Sequence, residues 1–328
     1  MDVLIIGGTQ FLGRHLVDAL RLRGHRVTLF NAGHHRNNVP IDVEQIHGDR
    51  RHDLERLGER VWDSVIDTCA YVPSHVESAA RFLRRKVGQY VLISSVSALD
   101  LTQAEPTEST PVLPMPDGAS RTEMKSETYG PLKALCEAVA WSWFGKDALV
   151  VRPGLIVGPY DPTDRFTYWP VRIARGGTVL APETPAYAVQ FIDARGLADW
   201  IVLQTERATG GAFNLTGFPQ TITFGDVLST SARIANSSPE IRWANEAFLH
   251  KHQVSEWSDL PLWVSAASHL PGLRNINISQ ARRTGLQILP LEQTVRDTLR
   301  WARGRPRNYR WQAGLRPEAE ADVLAKIA

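Results

Sequence analysis

The first residues of the chain join a short apolar run, a glycine-rich turn and an amphipathic segment. Residues 2–6 are rich in Val, Leu and Ile, as a buried strand is, and the turn Gly7–Gly13 follows at once. From Phe11 to Arg23 the apolar residues recur at helical spacing, and Gly24 stands where glycine commonly ends a helix. A strand that leads through glycines into a helix is typical of the first unit of a parallel sheet covered by helices.

The same alternation of strand and helix patterns continues to about residue 153. Further strands are predicted at His25–Phe30, Val43–His47, Ser64–Asp67, Gln89–Ile93 and Ala148–Val151. Helices are predicted over Ser74–Lys86 and Glu123–Phe144. Such alternation predicts the α/β class, with a Rossmann-like doubly wound parallel sheet.

After this region the pattern loosens, because proline and glycine recur through residues 153–186. We predict a dinucleotide-binding domain over 1–154, with a returning segment near 186–216, and a mainly substrate-binding region over 155–328. This second region is expected to be smaller and partly interleaved with the first. Within the returning segment, a strand at Ala188–Ile192 is expected to rejoin the main sheet.

Composition limits the classes of partner. The 328 residues include 37 Lys and Arg against 35 Asp and Glu, so the net charge of +2 gives no strong field for nucleic acid or an anionic membrane. Two cysteines, Cys69 and Cys136, do not make a disulfide framework or a multi-cysteine zinc site, and no metal is expected. With no apolar stretch of about 18 residues and no leader pattern, the expected compartment is the cytoplasm.

The glycine-rich turn has the residues that dinucleotide binding needs. Gly7 allows a tight turn, Gly13 permits close packing of helix on strand, and the helix N-terminus offers N–H groups and a positive dipole end to a pyrophosphate. The alternative is that the turn only packs the sheet. The candidate cofactor contacts in this turn are Gly7, Thr9, Gln10, Phe11, Leu12 and Gly13.

The end of the second predicted strand bears on the choice of cofactor. An acidic residue there commonly binds the ribose 2′-hydroxyl of NAD, but Asn31 follows Phe30. Asn31 does not repel a 2′-phosphate, and Arg36 or the neighbouring histidines can attract one. The alternative is an exposed polar loop. The sequence therefore favours NADP slightly over NAD.

Tyr129 and Lys133 are four residues apart, which places them on one face of a helix. A phenol with a reference pKa of about 10 is a poor base at neutral pH, and a nearby ammonium favours its phenolate form. A tyrosinate of this kind can remove the proton of an alcohol or return it to a carbonyl.

These features, taken in order along the chain, resemble the extended and atypical short-chain dehydrogenase/reductases, the NAD-dependent epimerase/dehydratase-like family. The turn GGTQFLG resembles the family's glycine-rich turn, although Gln10 stands where the family usually has its middle glycine. A serine pair, Ser94 and Ser95, follows the fifth predicted strand, and the Tyr129–Lys133 motif comes after it. The segments Val151–Pro159 and Gln190–Ala198 extend the resemblance over nearly the whole chain.

The resemblance implies a set of site residues. Ser95 is implied to hydrogen-bond the reacting oxygen, with Tyr129 as acid/base and Lys133 beside it. Asp49 is implied to lie near the adenine amino group. Arg152 and Pro153 belong to a segment that flanks the nicotinamide and the substrate. A small-molecule substrate and a homodimer are the partners that the resemblance implies.

The implied activity is that of an NAD(P)-dependent oxidoreductase or epimerase that interconverts hydroxyl and keto groups on a sugar, nucleotide sugar or secondary metabolite. A 4,6-dehydratase is disfavoured, because Val96 and Ser97 stand where dehydratases carry an acidic pair. The alternative is a non-catalytic or RNA-binding atypical member, since the Gln10 variant also resembles the branch that includes chloroplast stem-loop RNA-binding proteins. The Arg303–Trp311 stretch is the candidate RNA feature, but a solvated tail is the preferred interpretation.

Overall fold

The computed structural model of the chain describes residues 1–35, 38–218, 220–306 and 308–327. In chain order the strands are β1 (Asp2–Ile6), β2 (Arg26–Asn31), β3 (Glu44–His47), β4 (Trp62–Asp67), β5 (Val87–Ile93), β6 (Ala148–Pro153), β7 (Ile156–Val157), β8 (Thr178–Pro182), β9 (Ala188–Val189), β10 (Ile192–Asp193), β11 (Gly211–Leu215), β12 (Ile222–Thr223) and β13 (Glu240–Ala244). The α-helices are α1 (Leu12–Leu22), α2 (Pro73–Leu83), α3 (Tyr129–Phe144), α4 (Tyr168–Ala174), α5 (Ala194–Glu206), α6 (Phe224–Ala235), α7 (Glu246–Lys251), α8 (Ser279–Arg283), α9 (Leu291–Arg303) and α10 (Pro317–Leu324).

The chain divides into two compact units, each discontinuous in sequence. Unit 1 comprises Met1–Gly154, Ala194–Thr216 and Asn275–Gln287. Unit 2 comprises Leu155–Asp193, Gly217–Arg274 and Ile288–Ala328.

Unit 1 is built on a parallel sheet. Within the described residues this sheet has seven strands in the order β3-β2-β1-β4-β5-β6-β11. Helix α1 packs against α5, and α2 packs against α3. Strands covered by helices on both faces are expected to be continuous apolar runs, and residues 3–6 of β1 are indeed almost fully buried. The structure confirms the predicted Rossmann-like fold class.

One predicted strand pairing is wrong. The segment Ala188–Ile192 does not rejoin the main sheet, because β9 pairs with β12 and β10 pairs with β7, in two small sheets of unit 2. The strand that does join the main sheet is β11, which lies parallel to β6. Helix α5 supplies the crossover of about a dozen residues that leads into β11, as a parallel connection needs.

Residues 275–287, which the sequence placed in the second region, also belong to unit 1. Helix α8 packs against β11. The N–H of Asn277 donates to the Pro106 carbonyl at 2.8 Å, and the indole N–H of Trp200 donates to Thr284 Oγ1 at 3.2 Å. Hydrogen bonds between residues far apart in sequence leave no periodic pattern, so this return was not predictable from local patterns.

Unit 2 has a core of large aromatic and aliphatic side chains around short elements. Trp169, Phe224 and Trp263 are fully buried, and the indole N–H of Trp169 donates to the Pro261 carbonyl at 2.7 Å. Arg172 forms a buried ion pair with Glu320 at 2.6 Å. Long-range contacts of this kind, rather than one continuous sheet, hold unit 2 together.

The interpretation of the Arg303–Trp311 stretch as a solvated tail is wrong at Arg305. Its side chain is 9% exposed and pairs with the fully buried Asp164 at 2.6 Å. The guanidinium carbon lies 4.2 Å from the ring centroid of Trp301 and 4.0 Å from that of Tyr309. An arginine with a carboxylate on one side and aromatic faces on the others is part of the packing of unit 2. Across the described residues, no helix is long and apolar enough to cross a membrane.

Candidate active site

The turn after β1 depends on a close approach of backbone to backbone. Gly7 and Gly8 have φ of +98° and +85°, a region that favours glycine. A Cβ added at Gly13 would lie 2.5 Å from the Cα of Gly8, so only glycine lets the first turn of α1 sit this close to the turn. The Gly7 N–H donates to the Phe30 carbonyl at 2.8 Å and ties the turn to β2.

The N-terminus of α1 directly follows the glycine-rich turn. Phe11 precedes the helix with φ of 36°, and within the described residues no side chain caps it. Thr9 and Leu12 are buried, whereas Gln10 is exposed and its Nε2 lies 2.6 Å from His35 Nε2. The N–H groups of Gly13 and Arg14 already donate to the carbonyls of Gln10 at 2.8 Å and Phe11 at 3.0 Å, so it is mainly the positive end of the helix dipole that favours a negatively charged group here.

Asn31 ends β2 with its side chain turned toward its neighbours. Its Oδ1 accepts from the Gly33 N–H at 2.8 Å, and its Nδ2 donates to Gln45 Oε1 at 3.3 Å. The side chain is 8% exposed. The end of β2 therefore carries an amide that is held in place and no carboxylate; Arg36, the other residue predicted here, lies outside the described residues.

Asp49 follows β3 and is engaged by its neighbour. Arg51 donates to its carboxylate through Nη2 at 2.6 Å, and this hydrogen bond holds the pKa of Asp49 well below its usual range. The adjacent Arg50 points the other way and pairs with the fully buried Asp67 at the end of β4, at 2.5 Å. The Tyr90 hydroxyl also donates to Asp67, at 2.6 Å.

The Arg50–Asp67 pair was not predicted from the sequence. Burial raises the pKa of Asp67, but the Arg50 guanidinium more than offsets this effect and the net change is downward. A charged residue at the end of an apolar strand was the one available indication. The pair braces the carboxyl end of β4 beside the glycine-rich turn, where the Thr68 hydroxyl donates to the Ile6 carbonyl at 2.9 Å.

Tyr129 is the first residue of α3, not a residue near the middle of a helix that begins at Glu123. The Oγ1 of Thr128 accepts from the Lys125 N–H at 2.9 Å. Such local side-chain bonds compete with helical ones, so the helix starts six residues later than predicted. The phenol is thereby carried at the N-terminal end of α3.

Gly130 brings this end of α3 onto the turn after β5. A Cβ at Gly130 would lie 2.1 Å from the Ser97 carbonyl oxygen. Ser95 is buried in the same turn, and its Oγ accepts from the Ser97 N–H at 3.1 Å. Tyr129 and Ser95 therefore lie on two segments of backbone that are in direct contact, although the sequence places them far apart.

Lys133 is one helical turn further along α3 and is 3% exposed. Its Nζ donates to the carbonyls of Ala70 at 2.8 Å and Ile93 at 2.6 Å, which follow β4 and end β5. It also lies 5.6 Å from the ring centroid of Tyr71. Burial lowers the pKa of Lys133, against the opposing effect of nearby groups that include Asp67.

Arg152 and Pro153 end β6, but the guanidinium of Arg152 is committed to α3. It binds Glu137 through Nε at 3.0 Å and through Nη2 at 2.7 Å, and the Ser94 hydroxyl donates to the same carboxylate. Glu137 is four residues after Lys133, and that spacing is the feature that would have identified it. The network joins α3 to the carboxyl ends of β5 and β6.

The described part of the chain holds no group of three or more His, Cys, Asp and Glu arranged to bind a metal ion. Ser95, in the turn after β5, and Tyr129 and Lys133, on α3, belong to elements that meet at the carboxyl edge of the sheet. A buried ammonium, a phenol and a hydroxyl at one edge can transfer a proton to or from an oxygen.

Comparison with solved structures shows the same fold. The UDP-glucuronic acid 4-epimerase from Bacillus cereus, solved with NAD, has a TM-score of 0.68 and 15% identity, with 92% of this chain and 99% of that chain covered. The dTDP-glucose 4,6-dehydratase from Bacillus anthracis str. Ames, solved with NAD, has a TM-score of 0.67 and 15% identity, with 92% and 96% covered.

A curated relative is the chloroplast stem-loop binding protein of 41 kDa b from Arabidopsis thaliana, 28% identical over 258 residues. The match covers 73% of this chain but 64% of that protein. The model of the NAD dependent epimerase/dehydratase family matches residues 3–216, which include the glycine-rich turn and the Ser95, Tyr129 and Lys133 positions. These comparisons confirm the resemblance found in the sequence, and the chain belongs to the NAD dependent epimerase/dehydratase family.

Proposed function

We propose that this protein is an NAD(P)-dependent oxidoreductase or epimerase that interconverts a hydroxyl and a keto group on a small molecule. Candidate substrates are a sugar, a nucleotide sugar or a secondary metabolite. Family membership and epimerase folds among the solved structures support this class of reaction.

The environment of Lys133 is the observation that carries the proposal. A buried lysine is costly unless its ammonium is hydrogen-bonded. Here two backbone carbonyls from the ends of neighbouring strands hold it on the helix that begins with Tyr129. A lysine needed only for packing would be replaced at less cost by an apolar residue, so its presence supports a role in controlling the charge of the phenol.

Each side chain then has one task. Tyr129 removes the proton of the substrate hydroxyl during oxidation and returns it to the keto oxygen during reduction. Lys133 stabilises the phenolate by its positive charge. Ser95 hydrogen-bonds the reacting oxygen. A bound nicotinamide dinucleotide would accept or donate the hydride at the carbon that carries the reacting oxygen.

The glycine-rich turn fits the dinucleotide. A Cβ at Gly13 would fill the space in which helix and turn meet, and the uncapped N-terminus of α1 suits a pyrophosphate. We propose contacts from Gly7, Thr9, Gln10, Phe11, Leu12 and Gly13. The absence of a carboxylate from the end of β2, where Asn31 stands, supports a slight preference for NADP.

Removal of one oxygen atom tests the reaction. Tyr129→Phe keeps the ring and deletes the proton carrier, so turnover should fall by about 10²–10⁴ while cofactor affinity is unchanged. Titration with NADH and NADPH, followed by fluorescence of the ten tryptophans, gives the affinity. Turnover is measured in two assays. One follows the epimerisation of UDP-glucose and of UDP-glucuronic acid, and the other follows the NADPH-dependent reduction of a ketone. Near-normal turnover in Tyr129→Phe would show that another group carries the proton.

A second candidate function is that of a binding protein. The 28% identity to the stem-loop binding protein favours it, although this chain spans 64% of that protein's length. In that case the dinucleotide fold would act as a sensor, and neither the wild type nor Tyr129→Phe would turn over any substrate in the assay.

A further inference from the structure

An open basic cleft lies in unit 2, between the helices α6 and α9. It has a volume of about 390 Å³ and is lined by Arg233, Ile234, Arg296, Leu299, Arg300 and Arg303. The four arginines have no part in the proton transfer proposed above, and they lie beyond the residues that the family model matches.

The arginines converge from two helices. On α9, Arg296, Arg300 and Arg303 are four and three residues apart, so their side chains share one face and span about 10 Å along the helix axis. Arg233 comes from the last turn of α6, which packs against α9. Because the groups come from two packed helices, they surround a concave space rather than a flat surface.

The positive charge of the cleft is only partly neutralised. Arg233 pairs with Glu292, and Arg300 pairs with Asp297 at 3.6 Å, through arginine side chains that are 57% and 76% exposed. Such exposed pairs are weak and can be exchanged for a stronger anion. Among the described residues, no carboxylate forms an ion pair with Arg296 or Arg303.

Helix electrostatics does not account for the whole cluster. Cations are favoured in the last turn of a helix, which explains the positions of Arg233, Arg300 and Arg303. Arg296 lies in the middle of α9, and its exposed side chain faces the same cleft. The net charge of +2 does not oppose a local site, since charges more than about 10 Å away are largely screened at physiological salt.

We propose that this cleft binds a chain of consecutive phosphate groups, the chemistry shared by inorganic polyphosphate and a nucleic acid backbone. The guanidinium fork matches phosphate oxygens in bidentate fashion, and several forks along one face can hold neighbouring phosphates. Leu299 is buried beneath them. A volume of about 390 Å³ admits a narrow phosphate chain rather than the surface of a folded protein.

Two double variants of equal charge test the site. Arg296→Gln/Arg303→Gln removes the two cleft arginines with which no described carboxylate forms an ion pair. Arg242→Gln/Arg316→Gln is the matched control, because these residues are exposed, lie elsewhere in unit 2 and change the net charge equally. Tripolyphosphate is titrated by calorimetry, and a labelled single-stranded RNA oligonucleotide by fluorescence anisotropy, both at 50 mM salt.

Whichever of the two probes binds the wild type, Arg296→Gln/Arg303→Gln should lower its affinity at least tenfold. The control variant should lower that affinity less than twofold. In a plot of the logarithm of RNA affinity against the logarithm of salt concentration, the slope should become shallower by about two, one for each phosphate contact removed. RNA binding that tripolyphosphate displaces identifies a nucleic acid as the source, and tripolyphosphate binding alone identifies a small polyphosphate. Equal losses in the two variants, or no binding of either probe at 1 mM, would overturn the proposal.

Discussion

The two units both bury ionised side chains, but they place them differently. In unit 1, Lys133 and the Arg50–Asp67 pair lie at the carboxyl ends of neighbouring parallel strands. In unit 2, Arg172 and Glu320 are 148 residues apart and join segments that no sheet connects. Buried charge in unit 1 is collected where a parallel sheet usually binds its ligands, whereas in unit 2 it takes the place of a continuous sheet.

The comparison predicts opposite outcomes for loss of a buried cation in the two units. In unit 1 the loss should mainly lower turnover. In unit 2 it should mainly lower stability.

Lys133→Met should produce the largest change. In the proposed reaction the Tyr129 phenolate loses its stabilising cation, so turnover should fall by about 10²–10⁴ and the pH–rate profile should move to higher pH. The carbonyls of Ala70 and Ile93 lose a donor, but an uncharged side chain is cheaper to bury, so the melting temperature should change little. Lys146→Met, at an exposed lysine just after α3, is the control. A large fall in melting temperature with normal turnover per folded molecule would contradict the comparison.

Arg305→Ala should act mainly on stability. Removal of one member of a buried pair typically costs about 3–5 kcal/mol, because Asp164 would remain as a buried charge. Urea unfolding followed by tryptophan fluorescence measures the effect. Arg242→Ala is the matched control, since its pair with Glu240 is exposed and should contribute less than about 1 kcal/mol. Equal effects of the two variants would show that the buried pair is not needed to hold unit 2 together.

Asp161→Asn should reveal a pH dependence in unit 2. Burial raises the pKa of Asp161 to about 6. A raised pKa means that the folded state binds the proton more tightly, so this contribution to stability is complete below about pH 4 and is lost as the pH rises through 6. The wild type should therefore lose up to about 3 kcal/mol over this range relative to the variant.

Unfolding at pH 4.5 and pH 8 measures the difference. In the wild type, Asp161 Oδ1 accepts a hydrogen bond from the Thr163 N–H at 2.8 Å. The amide oxygen of the variant can accept the same bond, so the local structure should persist. A constant difference in stability between the two proteins at both pH values would show that Asp161 does not titrate there.

Asn31→Asp should have the smallest effect. The new carboxylate can still accept from the Gly33 N–H, but it would repel a 2′-phosphate. The ratio of NADPH to NADH affinity should fall by about tenfold, or about 1.4 kcal/mol. Fluorescence titration of both cofactors checks this, and a wild-type preference for NADH of tenfold or more would refute the slight preference for NADP.

The sequence predicted unit 1 well because its strands and helices follow local patterns. The order of apolar runs and helical segments was enough for strands β1 to β6 of the sheet, although β11 was missed, and the spacing of Tyr129 and Lys133 placed both on one helix. The start of α3 was wrong, because the hydrogen bond between Thr128 and Lys125 competes with the helix and leaves no periodic pattern.

Unit 2 was less predictable for a physical reason. The partner of Arg305 is Asp164, and neither sequence distance nor periodicity relates the two residues. The network around Glu137 lies between these cases. Its position four residues after Lys133 was visible, but its partners Arg152 and Ser94 come from two different strands, so only the folded sheet brings them together.

Gly130 has a consequence for how this chain can change over evolutionary time. Its α-carbon faces the Ser97 carbonyl so closely that any side chain would push α3 away from the β5 turn. Substitutions elsewhere in α3 can accumulate as long as they preserve packing, but any substitution at this position would move the start of α3, and Tyr129 with it, away from the turn that carries Ser95. Descendants that keep Tyr129 beside the turn after β5 should therefore keep Gly130 as well.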